Sequence, residues 1–171
     1  MKRLKLPKSI SPVQLAAQHE HIQGQLSLQR CERLASLLRE NTGSVDFSLQ
    51  FMQDESMRSI VRVKLNAELK VECGRCLQPM PYPIAYAVDL AVVADNQAAV
   101  ELPECYEPLL VTDDEVVLES LIEDELLLSL PVMPSHSEGE CSVAVPTNWV
   151  NNELDEHKNP FAVLKKLSDT R

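Results

Sequence analysis

Residues 61–72 read VRVKLNAELKVE, and the chain continues CGRCLQPM over 73–80. Val61, Val63, Leu65, Ala67, Leu69 and Val71 alternate with Arg62, Lys64, Asn66, Glu68, Lys70 and Glu72. A period of two puts successive side chains on opposite sides of an extended chain, so this is a long strand with one buried and one wet face. The same alternation in VDFSLQF (45–51), with Val45, Phe47, Leu49 and Phe51 inward, supplies a partner across the turn QDESMRS (53–59). The pair reads as an antiparallel hairpin, the arrangement in which one sheet face commonly stays wet.

Other elements follow outward from this hairpin. In MPYPIAYAVDLAVV (80–93), Tyr82, Ile84, Tyr86, Val88 and Leu90 share a face. Pro83 has no amide to donate and belongs at an edge or a strand start. HIQGQLSL (21–28) and PLLV (108–111) read as short strands, the second preceded by a loop over 94–107. The spacing of Leu34, Leu37 and Leu38 predicts a helix over 29–40, stopped by Asn41-Thr42-Gly43, with Cys31 packed as a small apolar residue. Ser11 as N-cap followed by Pro12 marks a short helix near the start.

The main helix is predicted from Thr112 to Pro131. Thr112 and Glu115 have capping-box spacing, the acids suit the N-terminal dipole, and Leu118, Leu121, Ile122 and Leu128 form the core stripe. FAVLKKL (161–167) is expected to form a last short helix. Strands in the middle with helices at both ends give an α+β fold, a mostly antiparallel sheet or partial barrel flanked by helices. The 171 residues suit a single domain, with a basic arm and short helix over 1–20 and a polar loop region over 132–160 in a loop-rich C-terminal part.

The formal net charge is −10, unevenly spread. Residues 1–75 carry twelve Lys/Arg against eight Asp/Glu, and residues 76–171 carry four against eighteen. Phosphate binding is driven by lysine and arginine, so the total disfavours nucleic acid, while the first half keeps a local basic surface. The two halves suit different partners, or each other. No apolar run reaches the roughly 18–20 residues that span a bilayer. The basic N-terminus has no apolar stretch behind it, so a cytoplasmic protein is expected. Five cysteines at irregular spacing in a chain of this length fit a reducing compartment.

Cys73 and Cys76 at the end of the long strand admit three readings: a metal knuckle, a redox couple, or two idle thiols. Zinc takes four nitrogen or sulfur ligands in a tetrahedron, commonly with two from a Cys-x-x-Cys turn. Gly74 lets backbone amides turn toward the sulfurs. His136 and Cys141, in a Gly-containing loop after the main helix, offer a second pair. A redox couple wants a helix N-terminus or positive charge, and only Arg75 is at hand. Cys105 reads as an idle thiol, His19, His21 and His157 as surface residues, and Trp149 as a loop anchor. With four glycines there is no phosphate loop, and neither His-Glu-x-x-His nor Gly-x-Ser-x-Gly occurs, so no catalytic residue is assigned.

VECGRCLQPM (71–80), CYEPLLV (105–111), ESLIEDELLLSLPVMPSHSEGEC (119–141) and NPFAVLKKL (159–167), in that order, resemble the large ribosomal RNA subunit accumulation proteins, the YceD-like family. The first 70 residues resemble it more loosely, through KLP (5–7) and Pro12-Val13. The resemblance implies a bacterial cytoplasmic, non-enzymatic factor in the synthesis, processing or stability of large-subunit (23S) ribosomal RNA. It also puts Cys73, Cys76, His136 and Cys141 where the family places its two Cys/His pairs, which supports structural zinc.

RNA contact is then expected from Arg58, Arg62, Lys64 and Lys70 on the wet face of the long strand, aided by Lys2, Arg3, Lys5 and Lys8 in the arm. Glu123, Asp124 and Glu125 on the main helix would face a basic partner such as a ribosomal protein. The alternatives are a zinc-stabilised adaptor that binds such a protein without touching RNA, and a thiol- or zinc-dependent enzyme.

Overall fold

The computed structural model describes residues 6–137 and 139–141. The expected helix over 161–167, most of the 132–160 loop, Lys2, Arg3, Lys5, Trp149 and His157 lie outside the described residues. The elements in chain order are β1 (Ser9–Ile10), α1 (Pro12–Ala17), β2 (His21–Ser27), a 3₁₀ turn (Leu28–Arg30), α2 (Glu32–Ala35), β3 (Leu38–Glu40) and β4 (Ser44–Gln53). There follow β5 (Ser59–Glu72), β6 (Pro79–Val93), α3 (Asn96–Val100), β7 (Glu107–Leu110), β8 (Val116–Val117) and α4 (Leu118–Ser129).

The long strand is β5, and it organises the molecule. It pairs antiparallel with β4 on one side, Phe47 opposite Leu65, and with β6 along its whole length on the other, Ile60 opposite Ala91 and Glu72 opposite Pro79. The main sheet runs β2-β4-β5-β6-β7, with β3 beside β5 beyond the end of β4. It is open and does not close into a barrel; all its pairs are antiparallel except β6 with β7. That parallel pair needs a crossover, and residues 94–106 provide it. Val61, Val63, Leu65, Leu69 and Val71 form one buried cluster with Phe47, Leu49, Leu26 and Ala16 of α1, and with Leu118, Leu121, Ile122 and Leu126 of α4. The α+β fold and the mostly antiparallel sheet therefore stand as expected, with the core on the odd-numbered side of β5.

Pro79, Pro81 and Pro83 sit at odd positions of β6, where the amides that they lack would point away from β5. On that side β7 pairs only with Leu90–Val93, so the prolines occupy a free edge and block further pairing there. The turn between β4 and β5 is held by Asp54, whose Oδ1 accepts the amides of Ser56 and Arg58, each at 2.9 Å.

The helical expectations needed correction in four places. The helix over 29–40 is a 3₁₀ turn and a single α turn, because β4 leaves the far edge of β5 bare and residues 38–40 pair there instead, Leu38 opposite Val71. Leu37 is consequently 54% exposed. The loop over 94–107 contains α3, which Asp95 caps by accepting the Ala98 amide at 2.8 Å.

At the main helix the Thr112–Glu115 box does not form. Residues 116–117 pair with Ser9 and Ile10, the Leu118 amide donates to Lys8 O at 3.1 Å, and Glu115 accepts from the Ser9 hydroxyl at 2.7 Å. The buried face of α4 is rotated toward Leu126 and Glu123, the side on which α2 packs, which leaves Leu128 66% exposed. Ser11 does occupy the N-cap position of α1, yet its buried hydroxyl makes no cap bond.

Candidate metal centre

The β5–β6 connection is a tight knuckle. The Cys73 amide donates to Gln78 O at 3.0 Å and the Leu77 amide to Cys73 O at 2.9 Å, with Leu77 in the left-handed region at φ 58°. This geometry points both cysteine sulfurs inward; Cys73 is fully buried and Cys76 is 7% exposed. The loop that follows α4 lies across the knuckle. The Gly74 amide donates to Pro134 O at 2.8 Å, and the Arg75 guanidinium donates to His136 O.

Gly74 is required by this crossing, since a Cβ there would stand 2.3 Å from Cγ of Met133. Replacing Gly74 by alanine is expected to push the loop off the knuckle and weaken metal affinity about tenfold, the lower end for loss of support around a metal ligand, as competition with a chromogenic chelator would measure.

The crossing brings Cys73, Cys76, His136 and Cys141 together, with all four ligand atoms within 4.8 Å of one another. Sγ of Cys73 is 3.7 Å from Sγ of Cys141, and Nδ1 of His136 is 3.4 Å from Sγ of Cys76 and 3.8 Å from Sγ of Cys141. A tetrahedral zinc with ordinary bond lengths implies edges of about 3.8 Å between sulfurs and about 3.5 Å from sulfur to nitrogen. Three of the six edges thus already match a zinc-sized tetrahedron, and the others are no longer than 4.8 Å.

Their protonation shows why a cation suits them. Burial works against a charged Cys73, but the amides of Cys76, His136 and Arg75 and the His136 side chain outweigh it and draw the thiol down to about 5. Cys141 is pushed up to about 11 by burial and by the neighbouring sulfurs of Cys73 and Cys76. Adjacent thiolates repel one another, and a divalent cation among them reverses that balance. The other cysteines stand apart: Cys31 is buried in the core and pushed up to about 11 by burial and then by Glu123 and Glu119, while Cys105 is exposed.

The residues expected to face RNA do not form one free cationic stripe. Arg62 makes a two-pronged pair with Asp89, at 2.7 Å on both prongs, which holds the Asp89 carboxyl below its usual range. Arg58 pairs with Asp54 at 2.7 Å and stacks over the Tyr106 ring, 5.5 Å to its centroid. Lys70 pairs with Glu40 at 2.6 Å. Lys64 alone of the four has no ion pair among the described residues. It lines an open groove on the outer face with Arg62, Asp89, Glu104, Cys105 and Glu107.

The acidic triplet of α4 is split as well, and only Asp124 lies at the surface, paired with Arg33 at 2.6 Å. Glu123 is 8% exposed; its Oε1 accepts the amides of Arg33 and Leu34, at 2.7 and 3.1 Å, and its Oε2 meets the Arg33 guanidinium at 3.0 Å. It therefore caps α2, whose own N-cap residue, Cys31, makes no side-chain bond.

Glu125 is 4% exposed, with Oε2 lacking a hydrogen-bond partner. Burial raises its pKa, partly offset by Tyr86. A carboxyl raised in the fold loses stability as pH climbs from about 4.3, its unfolded value, to its higher folded value, and the deficit then stays constant. Glu125→Gln is accordingly expected to stabilise the protein by about 1 kcal/mol at pH 7, with the gain vanishing below pH 4 in urea titrations.

Comparison with known proteins gives the family. The family model described as "Large ribosomal RNA subunit accumulation protein YceD" matches residues 61–168. A Haemophilus influenzae protein of that same description is 30% identical over 171 residues, covering 98% of each chain. No solved structure matches. Both halves of the Cys/His cluster fall inside the matched segment, and the likeness to the Haemophilus protein runs through β1, α1, β2 and β4 too; the chain belongs to the YceD family of large ribosomal RNA subunit accumulation proteins.

Proposed function

We propose that this chain is a non-enzymatic factor in the synthesis, processing or stability of large-subunit (23S) ribosomal RNA, working in the cytoplasm. In this reading Cys73, Cys76, His136 and Cys141 hold a structural zinc. The observation that carries the non-enzymatic part is the closed ligand set. Four protein side chains would fill the positions of a tetrahedral ion and leave none for a substrate or an activated water, which supports this reading. When bound, the ion supplies a fixed cross-link between the β5–β6 knuckle and the loop after α4. The family name supplies the link to ribosomal RNA.

Direct RNA contact would use the outer face of β5, where Lys64 has no ion pair among the described residues and Arg62 and Lys70 would exchange their carboxylate partners for phosphates. A specific observation favours a second reading, an adaptor for a basic ribosomal protein. Of the nine Lys/Arg in the described residues six are in ion pairs with carboxylates, whereas fourteen of the twenty-one Asp/Glu are not. The surface left over is acidic and suits a cationic partner.

Binding of purified protein to large-subunit ribosomal RNA, and separately to RNA-free large-subunit ribosomal proteins, over a salt series tests both. Direct contact predicts that replacing Arg62, Lys64 and Lys70 together by glutamine weakens RNA binding and flattens its salt dependence. RNA binding unchanged by that variant at low salt would rule out the sheet-face contact. Binding to a ribosomal protein alone, kept at high salt, would establish the adaptor.

A further inference from the structure

The sulfurs of Cys73 and Cys141 stand 3.7 Å apart, and they come from opposite sides of the crossing. Their environments differ. Cys73 is fully buried and ringed by amides, whereas Cys141 is only half-buried and follows the exposed Gly139 and Glu140. Peroxide oxidises the thiol it can reach, and a sulfenic acid formed beside a second thiol condenses with it. We propose that Cys73 and Cys141 are an oxidative modification site, closing to a disulfide under peroxide so that a covalent bond takes over the cross-link between knuckle and loop. The inference rests on the metal reading above only for what the disulfide displaces.

The chemistry balances in two steps. The Cys141 sulfur attacks one peroxide oxygen, the O–O bond breaks, and Cys141 becomes a sulfenic acid as its thiol proton leaves with the other oxygen as water. The Cys73 sulfur then attacks the Cys141 sulfur, the S–OH bond breaks, and the oxygen leaves as hydroxide. Peroxide is reduced by two electrons and the thiol pair is oxidised by two. Cys76 and His136 remain, and two ligands do not retain a tetrahedral ion, so zinc is released.

The alternative pair, Cys73 with Cys76, would close within the knuckle and free the loop. Digestion after arginine and glutamate separates the candidates, because cleavage at Glu72, Arg75, Glu104 and Glu140 puts Cys73, Cys76, Cys105 and Cys141 on four different peptides. The experiment treats the full chain with hydrogen peroxide, then follows zinc with a chromogenic chelator and disulfides by peptide mass. The expected result is a cross-linked Cys73–Cys141 peptide pair lighter by two hydrogens, with about one zinc released per disulfide. Cys105→Ser leaves both readouts unchanged.

A chain that is metal-free as purified but forms the same cross-link upholds this inference and sinks only the metal reading. A Cys73–Cys76 link, or oxidation confined to Cys105 with zinc retained, overturns the inference and leaves the metal reading standing.

Discussion

Stripping the proposed zinc with a chelator is expected to lower the melting temperature by about 10 °C. An ion that binds only the folded chain contributes about 4 kcal/mol when its free concentration is a thousand times its dissociation constant, and each kcal/mol moves the midpoint by about 2–4 °C in a domain of this size. The loss has a definite structural origin. Without an ion, the described part of the loop after α4 is held on the knuckle by weaker contacts, among them the Gly74–Pro134 hydrogen bond, the Arg75–His136 contact and the packing of Met133 and Cys141. Cys73→Ser should reproduce the shift in the presence of zinc, because it removes a ligand and leaves a hydroxyl fully buried. Cys105→Ser, at an exposed position, should do nothing. Differential scanning calorimetry with and without chelator measures all three.

Glu123→Ala is expected to cost about 3 kcal/mol, although sequence alone would mark the position as a surface acid. The substitution orphans two backbone amides at the start of α2 and removes the inner partner of Arg33. Asp124→Asn, one residue away and exposed, should cost less than about 1 kcal/mol. The pH dependence distinguishes the two positions further. Burial works against a charged Glu123, but the Leu34 amide, the Arg33 guanidinium and the Arg33 amide outweigh it and lower the pKa. Its contribution is therefore present above the unfolded carboxyl value near 4.3 and is lost as pH falls through the lower folded value. Urea unfolding of parent and Glu123→Ala from pH 7 to pH 3 should show the two curves converging at the acid end.

The sheet was legible because β4, β5 and β6 each follow a period-two pattern long enough to fix register and face together. The candidate ligands Cys73 and Cys76 were legible for a related reason, since they lie in a strand-to-strand turn with two residues between them. That His136 and Cys141 would reach them depended on α4 delivering its loop to one particular end of β5, which spacing alone does not give. The helices were the least legible part. Leu38–Glu40 has helical spacing but fills a bare edge of β5, and Val116–Val117 pairs with β1 instead of extending α4 toward Thr112. In both cases a distant strand decided the outcome. The ion pairs Arg62–Asp89, Lys70–Glu40 and Arg33–Glu123 join residues 27, 30 and 90 apart, and no local pattern announces them. They turn an apparent basic stripe and an apparent acidic face into internal structure, which is why the charge map of the sequence overstates both surfaces.

X-ray absorption at the zinc edge, on protein purified without chelator, tests the central claim most directly. The arrangement of Cys73, Cys76, Cys141 and His136 predicts a first shell of three sulfurs at about 2.3 Å and one nitrogen at about 2.0 Å, with no light atom beyond it in the inner sphere. A shell dominated by oxygen and nitrogen, or a folded protein with no stoichiometric metal, would contradict it.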